Sequence, residues 1–213
     1  MTLSQPSGGL LRLQDYAGDH EELASLVRLA GAGFAVAPTR IVSPADEERF
    51  YRLNNLPQRL SDLFSVVDYR DPDEDDVEDL IPHAQALLKT HYLLDEFIDL
   101  FYLSLEDMPG RLLLRRPSRR EGLEASKGRP TLLALKTLWA MEWTLESVMA
   151  RLKSGSIALQ AQPVLIQPAS SQAAPESLSD RASELLGKKV TLLKSTDHGI
   201  THVTFDIPFD IPS

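Results

Sequence analysis

A run of apolar residues between Leu80 and Leu105 constrains this chain more than any other feature. Leu80, Ala84, Leu87, His91, Leu94, Ile98, Phe101 and Leu105 follow one another at intervals of 4, 3, 4, 3, 4, 3 and 4 residues, and only His91 breaks their apolar character. That spacing keeps one stripe of side chains on one face of a helix. Pro82 fits a first helical turn, where its missing N–H leaves no bond unmade, and Pro109-Gly110 supplies a stop. The pattern predicts a long helix from Pro82 to Met108. A second is predicted from Pro130 to Lys153. Its apolar face is Leu135, Leu138, Met141, Leu145, Val148 and Leu152, with Trp139 and Trp143 beside it. Two such helices joined by residues 111–129 pack antiparallel and provide a core.

The remaining segments read as smaller units. Residues 9–14 suggest a short strand. Asp19 is placed to cap a helix through Leu23, Leu26, Val27 and Ala30 that ends at Gly31 or Gly33. Residues 34–42 suggest a β segment, with Pro38 confining it to an edge, so the N-terminus reads as a small β-α-β unit. Ser43 caps the next helix, with Pro44 at its first position and Asp46 or Glu47 covering the free amides. Asn54 and Asn55 close it, and Pro57 opens a third helix. Residues 68–79 are rich in Asp around Pro72 and read as a loop. Pro163 makes residues 156–167 an edge strand or an extended arm. Residues 168–177 have the composition of a linker. A short helix from Leu178 to Leu186 and a hairpin from 189 to 207 follow. The chain ends in two copies of Phe-Asp-Ile-Pro, an edge strand or a segment able to add to a partner's sheet.

The expected fold is α+β and predominantly helical. It has a core of two long antiparallel helices, a small N-terminal β-α-β unit and a C-terminal β-hairpin. The expected organisation is a mainly helical domain over 1–167, a linker over 168–177 and a helix-plus-hairpin module over 178–213.

Composition sets limits on function. A hydrophobic fraction of 43% supplies a real core, and the lack of cysteine excludes disulfides and thiolate metal sites. The first residues lack the build of a secretory signal, and no run has the length of a membrane helix, so a cytoplasmic protein with no membrane partner is expected. The net charge of −9 is unevenly distributed. Residues 62–107 hold 14 acids and two bases, whereas residues 111–153 hold ten bases and four acids. Two readings stand. Either the segments neutralise each other within the fold, the favoured reading, or each faces a partner of its own.

Candidate site residues fall in these two segments. The acids Glu74-Asp75-x-x-Glu78 and Glu96-x-x-Asp99 are spaced as two carboxylate pairs. With the surrounding residues 95–107, they resemble the signature of the MazG-like nucleoside-triphosphate pyrophosphohydrolases. The resemblance implies an all-α fold in which Glu78, Glu96 and Asp99 hold Mg²⁺, the cofactor this reading requires. Oxygen ligands suit that hard cation. His91, Asp95 and Asp99 lie at i, i+4 and i+8, a metal-ligand spacing or simply a seam histidine bonded to Asp95. In the basic segment, Arg115, Arg116, Arg119 and Arg120 are able to grip the phosphates of nucleic acid, with Trp139 or Trp143 as a stacking surface. Ser118, in Arg-Arg-Pro-Ser, fits a basophilic kinase site. No nucleophile, phosphate loop or dinucleotide fingerprint accompanies these residues. The leading expectation is therefore a non-catalytic interaction or adaptor protein without a cofactor. It acts on another protein, and the seamed helices suggest a homodimer. The pyrophosphohydrolase and nucleic-acid readings are the alternatives.

Overall fold

Val164-Leu165-Ile166 is an uninterrupted apolar run, the pattern of a strand covered on both faces. The computed structural model describes residues 10–158, 160–169 and 172–205, and this run is the centre of its main sheet. Strand β5 (Val164–Pro168) is buried at every residue. It pairs antiparallel with β2 (Arg40–Val42) on one side and β3 (Arg111–Arg115) on the other. With β1 (Leu11–Arg12) and β4 (Leu123–Ser126) the sheet has the order β1-β2-β5-β3-β4. The expectation that residues 34–42 and 156–167 form edge strands is therefore corrected. Pro163 precedes the first residue of β5 and Pro38 lies ahead of β2, so neither withdraws a donor from the ladder.

Alternation along these strands divides the interior in two. Val42, Leu112, Leu114, Val164 and Ile166 belong to the larger core. That core is completed by α2 (Pro44–Leu53), α3 (Leu56–Leu63), α4 (Glu74–Thr90), α5 (Asp95–Ser104), α6 (Arg129–Ala140) and α7 (Leu145–Lys153). Ile41 and Leu165 belong to a second core. There they meet Leu23, Leu26 and Leu29 of α1 (Glu21–Gly31) and Ala182 and Leu186 of α8 (Glu176–Leu186). The hairpin β7 (Val190–Ser195) and β8 (Gly199–Phe205) closes that side, with β6 (Gln172–Ala173) as a third strand. The main sheet thus separates a helical layer from a mixed one.

The α+β class holds, with eight helices and two antiparallel sheets among the described residues, but the pair of long helices is replaced by four shorter ones. The stretch read as a loop already begins α4. Asp73 caps it by accepting from the amides of Asp75 and Asp76, and Pro82 sits inside the helix. The seam then breaks at His91, whose backbone is extended. Its ring approaches Leu87 O, and Lys136 donates to His91 O, so the end of α4 is closed by side chains rather than by a further turn. Asp95 and Glu96 become first-turn acids of α5. The second long helix breaks at residues 141–144. Thr144 caps α7 by accepting from Ser147 N, and Trp143 donates from Nε1 to Tyr51 Oη at 3.0 Å. The basic connection is the hairpin β3–β4. Within the expected linker, Pro168 ends β5, Gln172–Ala173 is β6 and Glu176 opens α8. The Phe-Asp-Ile-Pro repeat lies outside the described residues except for Phe205.

Local signals fared better. Ser43 and Asp46 form the full capping box ahead of α2, and Gly187 ends α8 in the left-handed conformation. One glycine is required by non-local geometry. Gly199 has φ +93°, and a Cβ there would sit 2.4 Å from Ala35 O. That close approach lets Ile200 N donate to Ala35 O and Ala37 N donate to Ile200 O. Gly199→Ala is expected to lower stability by about 1–3 kcal/mol, while Gly31→Ala, with open space and no left-handed φ, leaves it unchanged or slightly raised. Chemical denaturation of the two variants checks this.

Candidate functional site

The four arginines of the basic segment meet different fates. At the end of β3, Gly122 of the returning chain leaves no room for a Cβ against Leu114 O. Arg115 and Arg116 leave this point toward opposite cores and are 1% and 2% exposed. Arg115 donates through both terminal nitrogens to Glu22 of α1, at 2.7 and 3.1 Å, and also to Gln167 Oε1 and Thr201 O. Gln167 in turn donates to Thr39 Oγ1 and Thr201 O. Arg116 grips Glu47 of α2 with two bonds of 3.0 Å, and adds Glu142 Oε1 and Gln162 O. Such bidentate pairs satisfy charges that water cannot reach. Arg119 is 61% exposed at 3.6 Å from Glu142, and Arg120 is exposed. Two of the four predicted phosphate ligands are thus enclosed in the protein. Ser118 is exposed with φ +63°, and its amide donates to Glu22 Oε2.

The two buried carboxylates respond differently. Burial pushes the Glu22 carboxyl up, but His202 and Arg115 outweigh it and hold it at about 2. His202 Nδ1 lies 2.9 Å from Glu22 Oε1. Burial also raises Glu47. Arg116 opposes the rise without cancelling it, and the neighbouring Glu142 adds to it.

The acidic and basic segments lie side by side, with α4 packed against α6 and α7. Among the described residues no ion pair joins an acid of residues 62–107 to a base of residues 111–153; Asp107 instead pairs with Arg40 at 2.6 Å. Arg111 pairs with Glu124, and Lys127 and Lys136 donate to backbone carbonyls. The two segments are thus adjacent, as expected, but the cations that bridge them bond to backbone carbonyls rather than to carboxylates. Glu78 lies on α4 and Glu96 and Asp99 on α5, all exposed. Among the described residues no three His, Asp or Glu side chains lie close enough to hold a metal ion. The acids of the MazG-like signature therefore do not gather into a Mg²⁺ site, and the two sheets depart from the all-α fold that resemblance implies. His91 turns its ring to Leu87 O rather than to Asp95.

The break between α4 and α5 creates a surface the sequence did not reveal. Leu53 at the end of α2, Tyr92 and Leu94 converge there on a shallow notch, floored by Phe50 and Phe97. Tyr92 is 86% and Leu53 53% exposed. Asn54 fixes the join by donating to Phe50 O and Tyr92 O. Asp46 and Arg49 stand at the rim, and Asp95 and Glu96 follow directly in the chain. A continuous helix over 82–108 would have buried Leu94 in the seam, so this surface became legible only once the break was known.

No protein-family model matches the chain, and no curated protein matches its sequence. No helix among the described residues is long and apolar enough to cross a membrane.

Two outcomes follow from the buried pairs. Arg115→Ala leaves Glu22 buried and unpaired and is expected to cost about 3–5 kcal/mol in urea unfolding, whereas Arg120→Ala changes stability by less than about 0.5 kcal/mol. Because the folded pKa of Glu22 lies below its ordinary value, its contribution is complete above pH 4.5 and is lost as pH falls toward 2. The loss is on the order of 3 kcal/mol. Carboxyl ¹³C NMR is expected to show Glu22 titrating near the bottom of that window, and a midpoint near 4 would contradict the assignment.

Proposed function

We propose that this chain is a non-catalytic interaction protein that grips a partner protein at the notch between α2 and the α4–α5 break. The observation that carries this reading is an exposed apolar surface beside Asp95 and Glu96, which make no ion pair among the described residues. Water-exposed Leu53, Leu94 and Tyr92 give a partner apolar area to bury, and Tyr is a frequent anchor of such contacts. Acids left unpaired nearby select the sign of what binds. The partner segment that fits carries an apolar anchor flanked by Lys or Arg.

The same charge argues against a second copy as the occupant. A chain of net charge −9 would bring a like-charged acidic surface to its own. The seam that suggested a homodimer is also largely spent, because Ala84, Phe101 and Leu105 are buried in the helical core and Leu87 and Ile98 pack against it. Nucleic acid is disfavoured by the acidic surface and by the enclosure of Arg115 and Arg116.

A photoreactive phenylalanine analogue in place of Tyr92 is expected to capture the partner in the native cell. The purified partner then binds the wild-type chain in a salt-sensitive manner. Leu53→Asp and Tyr92→Ala weaken that binding about tenfold or more, with unchanged unfolding midpoints. Affinity indifferent to both substitutions would sink the proposal, as would capture that occurs equally well from the exposed Leu133 on α6. A dimer by light scattering that Leu53→Asp dissociates would replace it with self-association.

A further inference from the structure

A second concavity lies on the other side of α2. It is a cleft of about 480 Å³ between α2, α3, Trp143 and the chain at Gly155–Ala158 and Ala161. That volume is in the range that encloses small organic molecules rather than a single water. Its walls are mainly apolar, from Pro57, Leu60, Tyr69 and Ile157. One wall is held rigid. Phe64 stacks on Trp143 at 5.9 Å, and the Arg151 guanidinium lies over the indole at 4.3 Å, so the ring is clamped and meets the cleft in a fixed orientation.

Polar groups line one side of this space, among them Glu47, Glu48, Tyr51 and Arg52 of α2, and one of them has unused capacity. Tyr51 lines the cleft, and its Oη accepts from Trp143 Nε1 at 3.0 Å. Among the described residues the Tyr51 O–H itself finds no acceptor. A buried hydroxyl with an unspent proton is unfavourable unless a ligand or water takes it. Burial, and then the charge of Glu47, push the phenol well above its usual pKa, so it keeps the proton it can donate. The next residue, Arg52, is exposed at the cleft with no ion pair among the described residues, and Glu48, one turn before it, also lines the cleft.

We propose that this cleft binds a small apolar molecule bearing an oxygen acceptor, a carbonyl or a carboxylate, which takes the free hydroxyl proton of Tyr51. The apolar body fills the space against Trp143, Leu60 and Tyr69. A carboxylate, if present, is drawn toward Arg52. The site is preformed, because the clamped indole and the bonded Tyr51 need no rearrangement to receive a ligand.

Three naphthalenes of similar size separate the parts of the proposal: 2-acetylnaphthalene, 2-naphthoate and 2-methylnaphthalene, which has no acceptor. Calorimetry on the wild-type chain is expected to give saturable binding of the first two, each at least fivefold tighter than the third. Tyr51→Phe removes that advantage. Arg52→Gln weakens 2-naphthoate alone, which assigns the carboxylate arm, and an unchanged 2-naphthoate affinity assigns the carbonyl arm. Ser61→Trp, on the half-buried wall of α3, fills the cleft and abolishes binding of all three with the unfolding midpoint kept. Unfolding midpoints accompany each titration, because Tyr51→Phe also removes the acceptor of Trp143 Nε1; if that variant unfolds, Ser61→Trp decides the outcome. Absence of saturable binding, or binding untouched by Ser61→Trp, would overturn the proposal. Leu53→Asp leaves probe binding unchanged, so failure here is distinguishable from failure of the interaction surface.

Discussion

Arg115 and Arg116 are neighbours in sequence that serve two different cores. Strand alternation sends one guanidinium into each layer of the fold, and each finds a glutamate in the first part of a helix. Glu22 lies in the first turn of α1, and Glu47 follows the capping box of α2. These positions already favour a carboxylate, because the helix N-terminus is the positive end of the backbone dipole. The arginines therefore attach to acids whose placement the helix N-terminus also favours. Burying such charges is costly, and only complete bonding makes the arrangement tolerable. Completion is visible in the remaining valences: Gln167, Thr201 O and the Ser118 amide finish the first pair, and Glu142 and Gln162 O the second. A partly bonded version would be worse than an apolar core, so the two pairs fix the angle of α1 and α2 against the sheet as well as their distance from it.

What was legible in the sequence was local. The Ser43–Asp46 capping box, the Gly187 stop and the β7–β8 hairpin depend on residues a few positions apart, and each carries its own chemistry. What was not legible depended on partners far along the chain. Arg115 and Arg116 looked solvated because Glu22 and Glu47 lie 93 and 69 residues away. The helix break at His91 was hidden for a similar reason. Leu80 to Leu105 keep a helical spacing through it, and the group that closes α4 is Lys136 from another helix. Pro163 misled in the opposite direction: it lies one residue outside β5, where the loss of a donor does not matter. Of the candidate site residues, Glu78, Glu96 and Asp99 lie on exposed helix faces, and nothing in their spacing tells whether three exposed acids converge. Tyr51 and Tyr92 drew no attention because an isolated tyrosine has no motif, and their significance comes from a spent acceptor in one case and a broken helix in the other.

The charge asymmetry of the chain also acquires a physical origin. Arg115 and Arg116 are drawn inward by acids of the N-terminal third, and Lys127 and Lys136 bond to backbone carbonyls, so these four do not pair with the carboxylates of residues 62–107. An ion pair between two exposed side chains contributes little, whereas a buried carboxylate without a partner is severely unfavourable. Arginine therefore goes where its absence would cost most. The acidic helices are left unpaired as a consequence of the same economy that completes the interior, and their surface potential is a property the fold leaves over rather than one it neutralises.

Helix α2 is where these threads meet. Glu48, Tyr51 and Arg52 line the cleft, while Asp46, Arg49, Phe50 and Leu53 line the notch, so about 100° of rotation per residue places the two surfaces on different faces of one ten-residue helix. Glu47, the one buried charge of that helix, also lines the cleft and is held by Arg116. A rotation of α2 large enough to reshape either surface would pull Glu47 out of its two bonds with the guanidinium. The capping box holds the first turn, and Asn54 ties the last turn to Tyr92 O. The helix is thereby pinned at its beginning, its middle and its end. The fold has set one rigid element between an apolar cleft with an unspent donor and an apolar notch beside unpaired acids, and the buried Arg116–Glu47 pair is what keeps the orientation of both.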